Sequence, residues 1–434
     1  MRDIVLLFMV GAGLLATIKR PWIGVMLWTW LSIMNPHRYT YGIAYSAPLA
    51  AATAGILMLC LLITKERESP FKGPPVTFFV AFVCWITLSW LFGFDVSGDY
   101  DQWKKIMKID VMIIVALMLL HSKQHIFAML WVCVGSLALL GIKGGIFTIT
   151  TAGAHRVWGP PGSFIEDNNE FALSLVMTIP LIRFLQLQLK NRWGRFAMSV
   201  SMFLCAVAAI GTHSRGALVA ITAMAVTLWW RGKKKFGMGI FLGLSAVFLA
   251  AFMPEEWYDR MSTINTYQED GSAMGRISAW WTAWGIAKNH LFGVGFNAAR
   301  PELFALYSPV PSNNLVAHSI YFQVMGHHGF IGLFLFLAIG AATWRSAAWL
   351  RNHKTLPSEA LWVVDLGNMI QVSMVGFAVG GAFLSLAYFD LIYNMMVVIV
   401  ITRIWVEKQR WKTEPMYAPG WRTIPGLASA PKTG

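Results

Sequence analysis

The sequence predicts an all-α, polytopic integral membrane protein of about twelve transmembrane helices with one long exterior loop. Three observations predict it. First, 56% of the 434 residues are hydrophobic and only 13% are charged, where a soluble chain carries about 25% charged residues. Second, the apolar residues fall in long runs. A span needs ~20 of them, so about twelve spans use roughly 240 residues. Third, the connections between runs alternate between basic and acidic. Soluble enzymes, disordered chains and disulfide scaffolds are excluded. An outer-membrane barrel is excluded too, because its strands would alternate rather than stay apolar. The net charge of +14 is read as membrane orientation, not as a sign of nucleic acid.

The apolar runs are 3–18, 22–35, 48–64, 75–93, 106–120, 125–142, 170–187, 196–212, 216–230, 236–253, 319–344, 363–387 and 390–406. The first two are short and read as two spans or one shallow hairpin, hence "about twelve". All should be helical, because lipid offers an open backbone no hydrogen-bond partners. The first run ends in Lys19-Arg20-Pro21, not in a small-residue cleavage site, so a cleavable signal peptide is not expected. Cys60, Cys84, Cys133 and Cys205 each lie inside an apolar run, which argues against disulfide and zinc chemistry.

Lys and Arg concentrate in alternate connections: Lys19-Arg20, the 65–72 loop, Lys123, 190–195, 231–235, 345–354 and the tail after Arg403. That side is read as cytoplasmic, with the C-terminus inside. The N-terminus lies outside if all thirteen runs span, and inside if the first two do not. The exterior connections are then 36–47, 94–105, 143–169, a tight turn near 213–215, and 254–317. The organisation read from this is a helix bundle over 1–253, an exterior loop with short helices over 254–317, further helices over 318–412, and a disordered tail over 413–434. Trp280, Trp281 and Trp284 in the long loop suit a bilayer surface or a lid.

Several residues on the exterior side could carry chemistry. Arg156, Arg215, Arg276 and Arg300 place guanidinium groups at membrane depth, where each needs a partner or an anion. Their forked donors match phosphate oxygens, so a phosphorylated ligand is expected. Snorkelling to lipid headgroups is the ordinary alternative for any one of them. His318, at the end of the long loop, can accept a proton near neutral pH; a loop histidine bonded to backbone is the alternative. Asn168 and Asn169, with Glu166, Asp167 and Glu170, either cap a helix or bind sugar hydroxyls. Asn313 and Tyr388 are further candidates for glycan contact, and Asp390 could edge the same cavity.

Other patterns are weaker. His327 and His328 are neighbours on a helix and should point about 100° apart, so they are expected to bond locally rather than share a metal. Asp99-Tyr100-Asp101 spells a DxD pattern that can hold a divalent cation. Gly293-Val294-Gly295 follows no strand and reads as a turn. Asp110 should pair with Lys108 or with a neighbouring helix. No phosphate-binding loop, nucleophile elbow or zinc-protease motif occurs.

Taken together, three segments resemble the O-antigen ligase family, within the superfamily that includes O-antigen polymerases and O-oligosaccharyltransferases. They are GPPGSFIEDNNEFAL at 159–173, GTHSRGALVA at 211–220, and the stretch from GRISAWW at Gly275 through AHSIYFQVMGHHGFIGL. The opening stretch RPWIGVMLWTWLSIMNPHRYTYG is similar to a subgroup labelled as O-glycosylation ligases. The resemblance implies a GT-C-like helical fold in the bacterial inner membrane with a periplasmic active site. It implies a donor glycan on undecaprenyl pyrophosphate, a lipid A–core sugar as acceptor, and no metal or other cofactor. It implies His318 as the catalytic residue, with Arg215, Arg276 and, less directly, Arg156 on the pyrophosphate. A lipid-linked glycan transporter is the rival class. It would favour ionisable residues near mid-membrane over residues crowded on one face.

Overall fold

A computed structural model describes residues 1–231, 239, 243, 271–311, 314–353 and 355–414. The apolar run 236–253, the first part of the long loop, Asn313 and the tail beyond 414 lie outside the described residues. Among the described residues every regular element is helical. The helices are α1 (Arg2–Lys19), α2 (Pro21–Met34), α3 (Leu49–Ile63), α4 (Pro74–Leu91), α5 (Tyr100–Leu119), α6 (Lys123–Thr150), α7 (Asn168–Gln188), α8 (Arg192–Gly211) and α9 (Arg215–Arg231). They continue with α10 (Gly271–Asn289), α11 (Pro301–Tyr307), α12 (Ile320–Arg351), α13 (Trp362–Gly380) and α14 (Asp390–Glu407).

Among the described residues, six helical segments are long and apolar enough to cross a membrane: α4, α6, α7, α8, α12 and the stretch 358–383 that contains α13. The other expected spans in the described chain are helices, but shorter or more polar. The helices α2 and α3 have 14 and 15 residues, and α5 carries Lys104, Lys105, Lys108 and Asp110.

Close packing of α6 on α8 organises the centre. A Cβ at Gly145 would collide with the Leu204 carbonyl, so only glycine lets the two backbones meet there. Small residues at such crossings are how apolar helices associate in lipid, where burial alone gives no driving force. The most buried helices are α7 and α14. The α14 residues Leu391 to Thr402 are all buried, and Ser373 of α13 donates to the Met177 carbonyl of α7 at 2.7 Å.

Two polar ends follow. On one, the Asp3 carboxylate accepts from the Gly42 and Ala44 backbone N–H groups at 3.0 and 3.1 Å. The start of the chain therefore lies against the 36–47 connection. On the other, Arg410 donates to Glu68 at 2.7 Å and to the His121 carbonyl, while Lys123 N–H donates to Glu414.

Two expectations change, at the end of α6 and at Asp110, and a third, at His327 and His328, holds. The helix α6 continues to Thr150 rather than stopping at 142, because GGIFTIT after Lys143 stays apolar enough to extend it. Lys143 is thus on a helix, not in a loop. Asp110 is buried with one oxygen lacking a hydrogen-bond partner, so it pairs with neither Lys108 nor another helix as expected. His327 and His328 bond locally as expected: both rings reach the hydroxyl of Tyr388, at 2.9 and 2.7 Å, just before Gly329 (φ +67) interrupts the helix.

Candidate active site

The first side is built by helix starts. Asp167 caps α7, its Oδ1 accepting from the Asn169 N–H at 2.8 Å. Such a cap satisfies an otherwise orphaned donor. One residue on, buried Asn168 donates to the Thr212 carbonyl at 2.7 Å and ties α7 to the end of α8. His213 takes a left-handed φ of +58, and its Nε2 donates to the Gly153 carbonyl at 2.8 Å. The carbonyl can only accept, which fixes the proton on Nε2. Val157 N–H donates to the Gly211 carbonyl. The 153–157 loop is thereby stitched to the turn that delivers half-buried Arg215 to the first position of α9, where Ser214 Oγ accepts from Ala217 N–H.

The return loop before α14 closes this side. Glu170 Oε1 accepts from Ser385 N–H at 3.2 Å, and Leu384 packs against Gly216, the neighbour of Arg215.

The second side carries His318. Arg276 and Trp280 are one turn apart on α10, so they share a face. The Trp280 indole N–H donates to the Ala317 carbonyl at 2.7 Å, and its ring stacks on Phe322 at 4.9 Å. His318 follows with φ +43, a left-handed conformation that a non-glycine residue holds only under local constraint. Its Nδ1 has no hydrogen-bond partner.

Electrostatics join the two sides. Burial, then the Arg276 guanidinium, push the His318 pKa below its ordinary 6.5, and the Asp167 carboxylate opposes them. His318 is therefore neutral at pH 7, the form that accepts a proton. Burial raises the Asp167 carboxyl. Hydrogen bonds from Glu170 and Asn169 and the nearby His318 outweigh it, so Asp167 is held below its ordinary value. The guanidinium and the carboxylate are thus near enough for their charges to act on the His318 imidazole. Such a group can take a proton from a hydroxyl and stabilise an anionic leaving group.

The other predicted residues are placed as follows. Arg156 is exposed in the stitched loop and lines a cavity of about 220 Å³. Asn168 is buried, and its amide N–H is committed to the Thr212 carbonyl. Half-buried Asn169 donates to Asp167 Oδ1 at 2.9 Å. Tyr388 is buried, and its hydroxyl is held by His327 and His328 instead of facing a glycan. Asn313 lies outside the described residues.

Arg300 is not part of this group. Its guanidinium spans Asp95 at 3.0 Å and Asp99 at 2.8 Å. Asp99 also accepts from Phe296 N–H at 2.6 Å. The DxD pattern is therefore an anchor for the 292–300 loop, not a cation site. Gly293 and Gly295, both at positive φ, form the turn expected there, and Gly295 N–H bonds to the His327 carbonyl. Among the described residues, no three His, Cys, Asp or Glu side chains are grouped to hold a metal. A cavity of about 640 Å³ lies around Glu68, Lys72 and Arg403. Two residues were not placed with His318 from sequence: Trp280, read only as an interfacial aromatic, and Asp167, read as a cap or a contact to sugar hydroxyls. No local signal places either beside His318.

Two family matches cover most of the chain. Residues 1–190 match a family of unknown function. Residues 200–337 match the family described as O-antigen ligase, and this segment contains Arg215, Arg276 and His318. No curated protein matches the chain. With the all-helical architecture and, among the described residues, six helical segments long and apolar enough to span a membrane, the match makes the 200–337 segment similar to the O-antigen ligase family.

Proposed function

We propose that the protein is a metal-independent, inverting glycosyltransferase of the inner membrane. In this reading it moves a glycan from undecaprenyl pyrophosphate to a lipid A–core sugar at the periplasmic face. The observation that carries the proposal is His318, held at a left-handed φ with its Nδ1 unpartnered and tied through Ala317 to the helix that bears Arg276, within the matched segment.

The anomeric carbon of the donor already carries a good leaving group. The acceptor hydroxyl oxygen forms the new bond to that carbon while the bond to pyrophosphate oxygen breaks. The hydroxyl proton passes to His318, and the electron pair leaves with undecaprenyl pyrophosphate. Arg215 and Arg276 neutralise the charge that grows on the leaving oxygen, and Arg156 meets the distal phosphate. Asp167 steadies the imidazolium that forms. One in-line displacement inverts the anomeric centre.

Lipopolysaccharide banding in ligase-deficient cells of the source organism tests this. Wild type should restore long-chain lipopolysaccharide, and His318→Ala should not at matched membrane levels. Core alone, with lipid-linked polymer persisting in the wild type, would rule out the lipid A–core acceptor. It would point to a growing glycan or a protein instead.

A further inference from the structure

The two remaining cavities share a wall. The cavity at Arg156, about 220 Å³, and a second of about 540 Å³ both include Tyr39, Leu140 and Lys143. They form one groove along α1, α2 and α6. Its long part is apolar, with Val5 and Met9 on α1, Met34 on α2 and Leu139 on α6; Val5, Met9 and Leu139 are half or more exposed. Its other end is cationic.

Three cations line this groove and no carboxylate does: Arg2, Lys143 and Arg156. Asp3, adjacent to Arg2, already has its Oδ1 accepting from Gly42 and Ala44. Lys143 stands seven residues before the end of α6, roughly 10 Å down the helix. It is exposed there, with the Tyr39 ring at 4.8 Å and no ion pair among the described residues. A lysine exposed on an apolar helix is costly unless an anion or water meets it.

The cationic end opens at the candidate active site. Val157 and Phe171 line it. Val157 is bonded to Gly211, at the turn leading to Arg215, and Phe171 lies on the first turn of the helix that Asp167 caps. Apolar length, then cations, then the reacting groups is the order in which a lipid pyrophosphate is built.

We propose that this groove seats the polyisoprenoid tail of the donor, with Lys143 and Arg156 receiving its pyrophosphate on the way to Arg215. The inference rests on the function proposed above and gives a role to the 1–190 segment, in which every lining residue falls.

The test uses the full-length protein in phosphatidylcholine nanodiscs, with undecaprenyl pyrophosphate carrying a diazirine in its tail as the probe. Crosslinks mapped by mass spectrometry should fall on Val5, Met9 and Leu139. The Lys143→Ala/Arg156→Ala double variant, and separately Met9→Trp, should each cut labelling roughly tenfold, as for loss of about 1.4 kcal/mol. Unlabelled undecaprenyl pyrophosphate should compete, and excess phosphatidylglycerol should not. Equal competition by phosphatidylglycerol, or labelling spread over the whole lipid-facing surface, would make the groove an annular lipid site and overturn the inference. Crosslinks near Arg215 and Arg276 with none in the groove would overturn it while leaving the proposed function standing. No specific crosslink anywhere would count against both.

Discussion

The indole of Trp280 donates to the carbonyl of Ala317, one residue before His318, at 2.7 Å. Because Arg276 is one turn from Trp280 on the same helix, this bond ties the His318 backbone to the helix whose guanidinium acts on the imidazole. Trp280→Phe keeps the ring that stacks on Phe322 and removes only the N–H. Losing a hydrogen bond of about 1 kcal/mol should lower kcat roughly fivefold in a reconstituted transfer assay, with little change in KM for donor. An unchanged kcat would mean the tie does not position His318.

The acid limb of the pH–rate profile should lie below the ordinary histidine range, because burial and Arg276 hold the His318 pKa down. Activity is then full at neutral pH and falls only as His318 becomes protonated. Arg276→Gln removes one of the causes, so the acid limb should move up in pH. Asp167→Asn removes the opposing charge, so the limb should move down. Initial rates across the acid range in the three proteins check both signs.

Arg215 is argued to grip phosphate with a planar fork. Lysine keeps the charge and loses the paired donors. Arg215→Lys should therefore recover only part of the activity lost in Arg215→Ala, with the deficit largely in kcat. Full rescue would show that charge alone suffices at this position.

Asp99 accepts from Arg300 and from the Phe296 backbone and is nearly fully buried. Asp99→Ala leaves a mostly buried guanidinium without one of its two carboxylates, a loss on the order of 3 kcal/mol. Thermal unfolding in detergent should shift to lower temperature. A chelator, by contrast, should leave transfer activity unchanged, since Asp99 is an anchor and not a metal ligand.

Helix positions were largely legible, because an apolar run in lipid has one way to satisfy its backbone. The end of α6 was not, since Lys143 looked like a boundary and the helix carries it. His318, Arg215 and Arg276 became candidates through motif resemblance, and all three fall in the matched 200–337 segment. Their surroundings were not legible, because the partners are far apart in the chain. Asp99 meets Arg300 201 residues on, and Glu170 meets Ser385 215 residues on. Tyr388 illustrates the limit most clearly. A tyrosine in an exterior turn reads as a glycan contact, yet it is buried and its hydroxyl bonds to both His327 and His328, about 60 residues away in the chain.

The most direct test of the central claim is a transfer reaction with purified protein, lipid-linked glycan and lipid A–core, comparing wild type with His318→Ala at equal donor binding. The expected result is an inverted linkage from the wild type and a rate lower by roughly 10²–10⁴ in the variant. A retained anomeric configuration, or a variant as fast as wild type, would contradict His318 as the base of a single displacement.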